Sequence, residues 1–398
     1  MRFALDGRSA IPRTVWTLGF VSLFMDLSSE LVHSLLPVFL VSTLGASVMT
    51  VGLIEGVSEA ATLVAKVFSG ALSDFFRRRK GLILLGYGMA VLTKPLFPLA
   101  MSAETVFAAR FLDRIGKGIR GAPRDALVAD VAPPAIRGAC FGLRQSMDTV
   151  GAFLGPLLAI LMMFLLANDI RQVLWFAVLP AFVTVLLIVF GIEDPKNESS
   201  RNRFHWPTRR DALRRFSGEY WWIVAIGAIF ALARFSEAFL ILRAQQVGFS
   251  VAWVPLVMVV MSMIYSLSAY PAGILSDRMN RRSVLATGLL LLMLADLLLA
   301  WANSPVIVLL GVALWGLHMG LTQGIFAAMI ADVTPPELKG TAFGLFNLAS
   351  GLFMLLASAV AGGVWDRHGA AMTFYAGAAF SVAAFVMLIS LRSRRQND

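Results

Sequence analysis

The sequence predicts an all-α membrane protein whose spanning helices form two similar six-helix bundles. Its 398 residues are 58% apolar and 15% charged, with a mean hydropathy of +0.77, whereas soluble globular chains are about half apolar. Apolar stretches of about 20 residues recur along the chain, the length that crosses about 30 Å of hydrocarbon. Basic residues concentrate in alternate loops, and the two halves repeat each other. These observations favour about twelve spans over two or three soluble domains.

The apolar stretches place six spans in each half of the chain. In the first half they are 15–43, 48–72, 81–101, 105–130, 138–166 and 170–192. In the second half they are 220–244, 251–275, 283–301, 305–331, 340–364 and 370–391. Residues 1–14 and 392–398 are then tails, and the charged segment 193–219 links an N-terminal bundle (15–192) to a C-terminal bundle (220–391).

The basic residues lie on one predicted side of the membrane. They cluster in 77–80, 193–219, 278–282 and 392–395, whereas the intervening loops are nearly free of charge. By the positive-inside rule, both tails and the linker are cytoplasmic. This periodicity accounts for the net charge of +10 and the pI near 10.3 without a nucleic-acid partner. The single cysteine, Cys140, excludes a disulfide framework and a cysteine-built metal site.

Two blocks of sequence recur at nearly the same distance along the chain. "GALSD" (70–74) returns as "GILSD" (273–277), an offset of 203 residues. "ADVAPPAIRGACFGL" (129–143) returns as "ADVTPPELKGTAFGL" (331–345), an offset of 202 residues. Matching blocks at one period indicate duplication of a structural unit, here the six-helix bundle.

The twelve spans, the repeat, the basic central loop and the G-x-L-S-D blocks resemble the major facilitator superfamily of secondary transporters. The resemblance implies two bundles related by an axis along the membrane normal, with a solute site between them near the midplane. It also implies alternating access driven by the proton motive force, with no cofactor and no enzymatic activity. The expected setting is a bacterial plasma membrane, where a monomer contacts lipid, protons and a small-molecule solute.

The family's loop motif, G-x-x-x-D-(R/K)-x-G-R-R, occurs in both halves. The second copy has Gly273, Asp277, Arg278, Arg281 and Arg282, with Asn280 where glycine is usual. The first copy has Gly70, Asp74 and Arg78, but Phe75 and Arg77 depart from the pattern. The resemblance implies a gating role for these residues, weaker in the first copy. The alternative is a solvated charge cluster that only sets topology.

Two further motifs concern spans 4 and 5. "RFLDRIGKG" resembles the fourth-helix pattern R-F-L-x-G-x-G-x-G, with Arg110, Gly116 and Gly118 in register. The resemblance associates Arg110 with proton movement, although Asp113, Arg114 and Lys117 occupy positions that are usually small or neutral.

The fifth-helix pattern is present as Gly142, Gly151, Gly155 and Pro156. In the family it is associated with antiporters that export solutes. Here the usual trailing glycine pair is replaced by Leu157 and Leu158. Small residues also allow close helix packing, which is the alternative explanation.

Ionisable residues fall near the middle of several predicted spans. They are Asp26, Glu30, His33, Glu55, Glu59, Asp113, Lys117, Arg120, Arg124, Arg144, Asp148, Arg234 and Glu237. A charge at the centre of a spanning helix costs about 2.5–3.5 kcal/mol on insertion scales. We therefore expect these side chains to face a cavity or one another, and internal ion pairing alone accounts for some of them.

The positions of these residues suggest separate roles. Asp26 and Glu30 have no basic neighbour within a turn of their own helix, so they are candidates for the protonation step, with Glu59 an intermediate case. Asp113, beside Arg114 and Lys117, is expected to stay ionised.

His33 is expected to be a hydrogen-bond partner rather than a proton carrier. Asp148 is expected to pair with an arginine of span 4, with solute contact as the alternative. The candidates for lining the solute cavity also include His33 and Asp113, together with Lys117, Arg120, Arg124, Arg144, Arg234 and Glu237.

The second half has fewer charges in its spans. At the 202-residue offset, Arg120 and Arg124 correspond to Thr322 and Phe326. We expect this half to supply an apolar or hydrogen-bonding wall from Trp315, His318 and Gln323. The asymmetry predicts a solute with a charged and an apolar part, of unresolved sign.

The predicted function is proton-coupled export of such a solute by antiport. The alternatives are symport of an organic anion and a non-transporting sensor. The motifs of a membrane enzyme or a nucleotide-binding loop do not occur.

Overall fold

The computed structural model describes residues 11–76, 79–133, 136–192, 216–334 and 338–394, and within these ranges it contains helices and no strands. The first-half helices are α1 (Arg13–Val38), α2 (Val48–Phe76), α3 (Arg79–Thr93, then Leu96–Leu99), α4 (Ala103–Val131), α5 (Arg137–Leu165) and α6 (Ile170–Trp175, then Val178–Gly191). The second-half helices are α7 (Gly218–Ala233, then Ala238–Gln246), α8 (Leu256–Arg278), α9 (Arg281–Trp301), α10 (Pro305–Val333), α11 (Lys339–His368) and α12 (Ala370–Arg394). The predicted all-α membrane fold is confirmed.

Eleven helices of the described chain are long and apolar enough to cross a membrane. The helix missing from that set is α4, because its sequence carries seven charged residues between Asp113 and Asp130. Its length matches that of its neighbours, so we infer that α4 crosses with them. Four of its charged side chains, Arg110, Asp113, Arg114 and Arg120, are buried inside the bundle.

Several helices that the sequence predicts as continuous are interrupted. Pro95 separates the two segments of α3, since proline cannot donate the backbone hydrogen bond that a helix interior requires. In α1, Pro37 precedes a π-helical turn, Phe39–Thr43. The break in α7 contains no proline and spans residues 234–237. This last interruption places four residues of non-helical backbone inside the membrane, which is tolerated where the segment lines a cavity.

The two halves use the same set of helix contacts. In the first half α1 packs against α5 and α6, α4 packs against α2 and α3, and α3 packs against α6. In the second half α7 packs against α11 and α12, α10 packs against α8 and α9, and α9 packs against α12. Each contact in one half therefore has its counterpart in the other, as duplication of a six-helix unit requires.

The main helix pairs that join the halves are α2 with α11, α5 with α8, and α1 with the second segment of α7. At one end the connection includes hydrogen bonds. Gln245 donates to the hydroxyl of Ser42 at 2.7 Å. The carboxylate of Asp366, on α11, accepts from the backbone N–H groups of Val48 (3.1 Å) and Met49 (2.9 Å). A residue of the second half thus caps the N-terminus of α2, where free N–H groups and the helix dipole favour an anion.

Candidate functional site: a cavity between the two halves

A cavity of about 340 Å³ lies between the halves. The first half contributes an ionisable wall from α1, α2, α4 and α5: Glu30, His33, Glu55, Glu59, Arg114, Lys117 and Asp148. The second half contributes a wall that is mainly methionine, aromatic and hydroxyl side chains: Phe235, Met258, Met261, Tyr265, Met319 and Met354, with Ser262 and Ser358 among the hydroxyls. Among the described residues, its two charged lining side chains are Arg234 and Glu237, both predicted from the sequence to contact solute. The predicted contrast between a charged half and an apolar half is therefore present, although its second wall is built from other residues.

A chain of ionisable groups runs from the cavity into the first bundle. Nδ1 of His33 lies 3.3 Å from Oε2 of Glu30, and Nε2 lies 3.9 Å from Oε2 of Glu55. Arg110 donates from Nη2 to the same oxygen of Glu55 at 2.8 Å. His33 and Glu55 line the cavity, and Arg110 is 1% exposed behind them. His33 is thus hydrogen-bonded as the sequence suggests, and it also connects two carboxyl groups.

Asp26 and Asp148 form a carboxyl pair between α1 and α5. Their side chains are close enough to hydrogen-bond to each other. Two ionised carboxylates repel each other and can only accept hydrogen bonds, so a hydrogen bond between them would need a proton on one of them. Asp148 also lies 3.7 Å from Nη1 of Arg124 and 3.6 Å from Nη1 of Arg144, so the predicted pairing with an α4 arginine is present. No ion pair to Asp26 is found among the described residues, whereas Asp148 is close to two arginines.

Lys117 projects from α4 into the cavity, and its side chain is exposed there. Within the described chain it has neither a hydrogen bond nor an ion pair. The nearby carboxylates have closer partners: Glu59 lies 3.1 Å from Arg114, and Glu237 lies 3.9 Å from Arg234 across the break in α7. The charge of Lys117 acts on the Asp26–Asp148 pair from a distance. It is therefore a cation of the cavity wall without a contacting anion.

Asp113 and Arg120, which the sequence predicts to contact solute, do not line the cavity. Asp113 is 2% exposed and accepts from Nζ of Lys94 at 3.1 Å, so it does not pair with Lys117. Arg120 is 4% exposed, and its guanidinium lies over the ring of Tyr87 at 4.6 Å. Successive residues turn about 100° around a helix, so Lys117 points about 40–60° away from both. This difference in direction places Asp113 and Arg120 on the face of α4 that packs against α3, and Lys117 on the face that reaches the cavity.

Trp315 and His318, which the sequence predicts to form part of the cavity wall, do not line the cavity either. Both side chains are fully buried inside the second bundle, where their rings lie 5.3 Å apart. The side chain of Gln323 lies outside the described residues. The sequence analysis missed Lys94, which follows the first segment of α3, and Tyr265 on α8. For α8 a signal existed, because Met258, Met261 and Tyr265 follow helical spacing and share one face.

Arg124 and Arg144 do not line the cavity. They join Asp148 to Asp125 in a four-residue cluster, where Arg124 lies 3.2 Å and Arg144 lies 3.8 Å from Oδ1 of Asp125. Arg124 also donates to the hydroxyl of Ser22 on α1 at 3.2 Å. The predicted role of these arginines in solute contact is therefore replaced by ion pairing between α4 and α5.

The loop motifs are described only in part. Gly70 and Gly273 lie in α2 and α8, whereas Arg78 and the side chains of Asp74, Asp277 and Arg278 lie outside the described residues. Beyond them, Arg281 forms an ion pair with Asp332, and Arg282 bonds Glu219 at 2.9 Å.

The first half repeats one of these ion pairs. Nε of Arg79 lies 2.6 Å from Oδ2 of Asp130, and both residues are 202 positions before Arg281 and Asp332. The repeated "AD" at the end of α4 and α10 thus serves the same structural purpose in both halves. In each half, the aspartate of this dipeptide pairs with the arginine at the start of a packed neighbouring helix, α3 or α9.

The fifth-helix glycines pack α5 against α1. A methyl group on Gly151 would lie 2.3 Å from the carbonyl oxygen of Leu23, and one on Gly155 would lie 2.7 Å from that of Leu27. Gly142, by contrast, has open space where a methyl group would be. Pro156 lies within α5. Close helix packing therefore explains two of the three glycines.

Together, a membrane bundle of two matching halves and an ionisable cavity between them define a secondary transporter. The family model of the Major Facilitator Superfamily matches residues 18–265 and 235–398, and the chain belongs to this family. It is 32% identical over 385 residues to an uncharacterised MFS-type transporter of Methanocaldococcus jannaschii, covering 95% of each chain. It is 24% identical to the cis,cis-muconate transport protein of Acinetobacter baylyi, covering 86% of each. The crystal structure of a point mutant of the nucleoside transporter NupG superposes with a TM-score of 0.82 at 13% identity, covering 95% of this chain and 99% of that chain.

Proposed function

We propose that the protein is a proton-coupled transporter of an amphipathic organic anion, with the acid group bound at Lys117. The observation that carries this proposal is the cavity lysine without a contacting anion, opposite a wall of methionine and aromatic side chains. An anionic head group supplies the missing partner, and the apolar body of the solute packs against Met258, Met261 and Tyr265. The muconate transport protein among the relatives carries a dicarboxylic acid, which fits this class.

The Asp26–Asp148 pair links proton binding to anion binding. With the pair protonated, it carries one negative charge, which Arg124 and Arg144 already balance. Lys117 is then free to bind an anion. Loss of the shared proton adds a second negative charge near Lys117 and competes with the solute. Because each ligand favours binding of the other, the proton and the anion travel together, which is symport.

Export of a solute in exchange for protons is the second candidate, and it is the function that the sequence alone predicts. The carboxyl groups that face the cavity favour it, since Glu30, Glu59 and Glu237 are each partly exposed there. A cationic amphipathic solute would compete with protons for these groups, and competition produces antiport.

Proteoliposomes that contain the purified protein and a pH-sensitive dye distinguish the two functions. The probes are a panel of carboxylic acids that includes cis,cis-muconate, and the lipophilic cation ethidium. Symport predicts that an acid probe enters together with protons and that K117M abolishes this entry while K117R retains it. Proton movement opposite to ethidium, unaffected by K117M, would establish antiport instead. An absence of proton movement with every probe that is transported would refute proton coupling.

A further inference from the structure

A second buried carboxyl group lies in the second bundle, away from the charged wall. Asp296, on α9, is 0% exposed, and neither of its carboxyl oxygens has a hydrogen-bond partner. Within the described chain no cation lies within ion-pair distance of it. An ionised carboxylate in that position would be both unpaired and desolvated, at a cost of several kcal/mol. In this arrangement Asp296 is therefore a neutral acid that holds a proton.

This carboxyl group lies close to the ring of a cavity residue, Phe235. A methyl group on Gly377 of α12 would lie 2.6 Å from Oδ2 of Asp296 and 3.0 Å from Cε1 of Phe235. The carboxyl group and the phenyl ring therefore meet at the same point on α12. Phe235 also lines the cavity. Asp296 thus lies directly behind a side chain of the cavity wall.

Phe235 belongs to the non-helical break of α7, residues 234–237. Its ring is held by contacts with other rings: Phe239 at 5.3 Å, Trp315 at 5.4 Å and Phe374 at 5.6 Å between centroids. Such ring pairs contribute about 0.5–1.5 kcal/mol each, and no hydrogen bond fixes a phenyl ring. Rotation of this side chain would therefore break ring contacts but no hydrogen bond.

The surroundings of Asp296 contain other polar groups but no partner for it. On α10, His318 is buried, both of its ring nitrogens lack partners, and so does Nε1 of Trp315. The break in α7 contributes Arg234 and Glu237, which pair with each other. On α12 the residue that faces Asp296 is Gly377. Unsatisfied polar atoms are rare in bundle interiors, and here they occur on the two packed helices α9 and α10.

We propose that Asp296 is a second proton-binding site of the transport cycle, loaded from the cavity when Phe235 rotates. The carboxylate accepts a proton from a hydronium ion in the cavity: one O–H bond of hydronium breaks, the O–H bond of the acid forms, and water remains. The neutral acid is enclosed when the ring returns. This inference rests on the proposed proton coupling, to which it adds a proton carried by the second half.

Hydrophobic carbodiimide tests access to Asp296 without any solute. A protonated carboxyl group adds across the carbodiimide to give an acylisourea, which rearranges to a stable N-acylurea that mass spectrometry locates. The reagent is dicyclohexylcarbodiimide, applied to the purified full-length protein. We expect F235A, and the milder F235L, to raise the labelling rate of Asp296 at least tenfold. The matched control is F239A, which removes another ring of the same cluster that does not line the cavity. Equal rates in all variants, or no labelling of Asp296 in any of them, would overturn the proposal.

The D296N variant separates a transported proton from a permanently held one. In proteoliposomes with whichever probe moves protons in the wild type, D296N should lower the number of protons per solute by one. An unchanged ratio would show that the proton of Asp296 is structural. If the wild type moves no protons, the proposed function fails, while the labelling rates still decide whether Asp296 is reached past Phe235.

Discussion

Removing the charge of Lys94 and removing the charge of Lys117 should have different effects on thermal stability. Lys94 is buried in an ion pair, whereas Lys117 faces the cavity. Lys94 is 1% exposed, donates to Asp113 at 3.1 Å and to Ser29 at 3.1 Å, and joins α3 to α4 and α1. Removing its charge in K94M leaves the Asp113 carboxylate desolvated without a cation. Breaking one partner of a buried pair costs about 3–5 kcal/mol. We expect K94M to lower the thermal midpoint of the detergent-purified protein by many degrees.

The double variant K94M/D113L removes both charges together, and apolar replacement of a buried pair is often neutral. It should therefore recover most of the midpoint lost in K94M. K117M is the matched control, since Lys117 has no ion pair in the described chain and its truncation should leave the midpoint nearly unchanged. Midpoints are compared at one scan rate, because unfolding of large proteins is often irreversible. If the thermal midpoint of K94M equals that of the wild type, or if the double variant is no more stable than K94M, the Lys94–Asp113 ion pair does not stabilise the fold.

Two further predictions concern helix contacts. G155A should destabilise the protein by about 1–3 kcal/mol, the usual cost of overpacking, because its methyl group would lie 2.7 Å from the carbonyl oxygen of Leu27. G142A is the control, since its methyl group would enter open space and should not change stability. Equal thermal midpoints of the two variants would contradict this packing. D366A should weaken the connection between the halves by removing the cap of α2 at Val48 and Met49. The test uses M49C in a protein whose Cys140 has been replaced, with and without D366A. Maleimide should label the cysteine at position 49 faster when D366A is present, and an unchanged labelling rate would contradict the proposed cap.

Much of the fold follows from sequence pattern alone. Apolar length and alternate basic loops predict the helices, and the repeated blocks predict the matching contacts of the two halves. The interruptions are harder to predict. Pro95 marks one and Pro37 precedes another, whereas the break at 234–237 has no residue type that requires it. Tertiary packing decides there, and sequence periodicity carries no information about it.

The candidate site divides in the same way. The free-energy cost of placing a charge in lipid predicts that most charges of the first half lie inside the bundle. The sequence also predicts that Asp148 pairs with an arginine of α4, and Arg124 is that arginine. Neither prediction specifies which helix faces each charge. Asp113 and Lys117 lie on one stripe of α4, yet one contacts α3 and the other reaches the cavity. A rotation of about 40° separates these outcomes, and helical spacing alone does not resolve it.

The central claim is that the proton shared by Asp26 and Asp148 couples transport to the pH gradient. Its direct test compares wild type and D26N in proteoliposomes, with an acid probe that the wild type transports. The asparagine fills the same space but carries no titratable proton. We predict that D26N still exchanges labelled for unlabelled probe across the membrane but no longer accumulates it when a pH gradient is imposed. Accumulation by D26N equal to that of the wild type would contradict the claim.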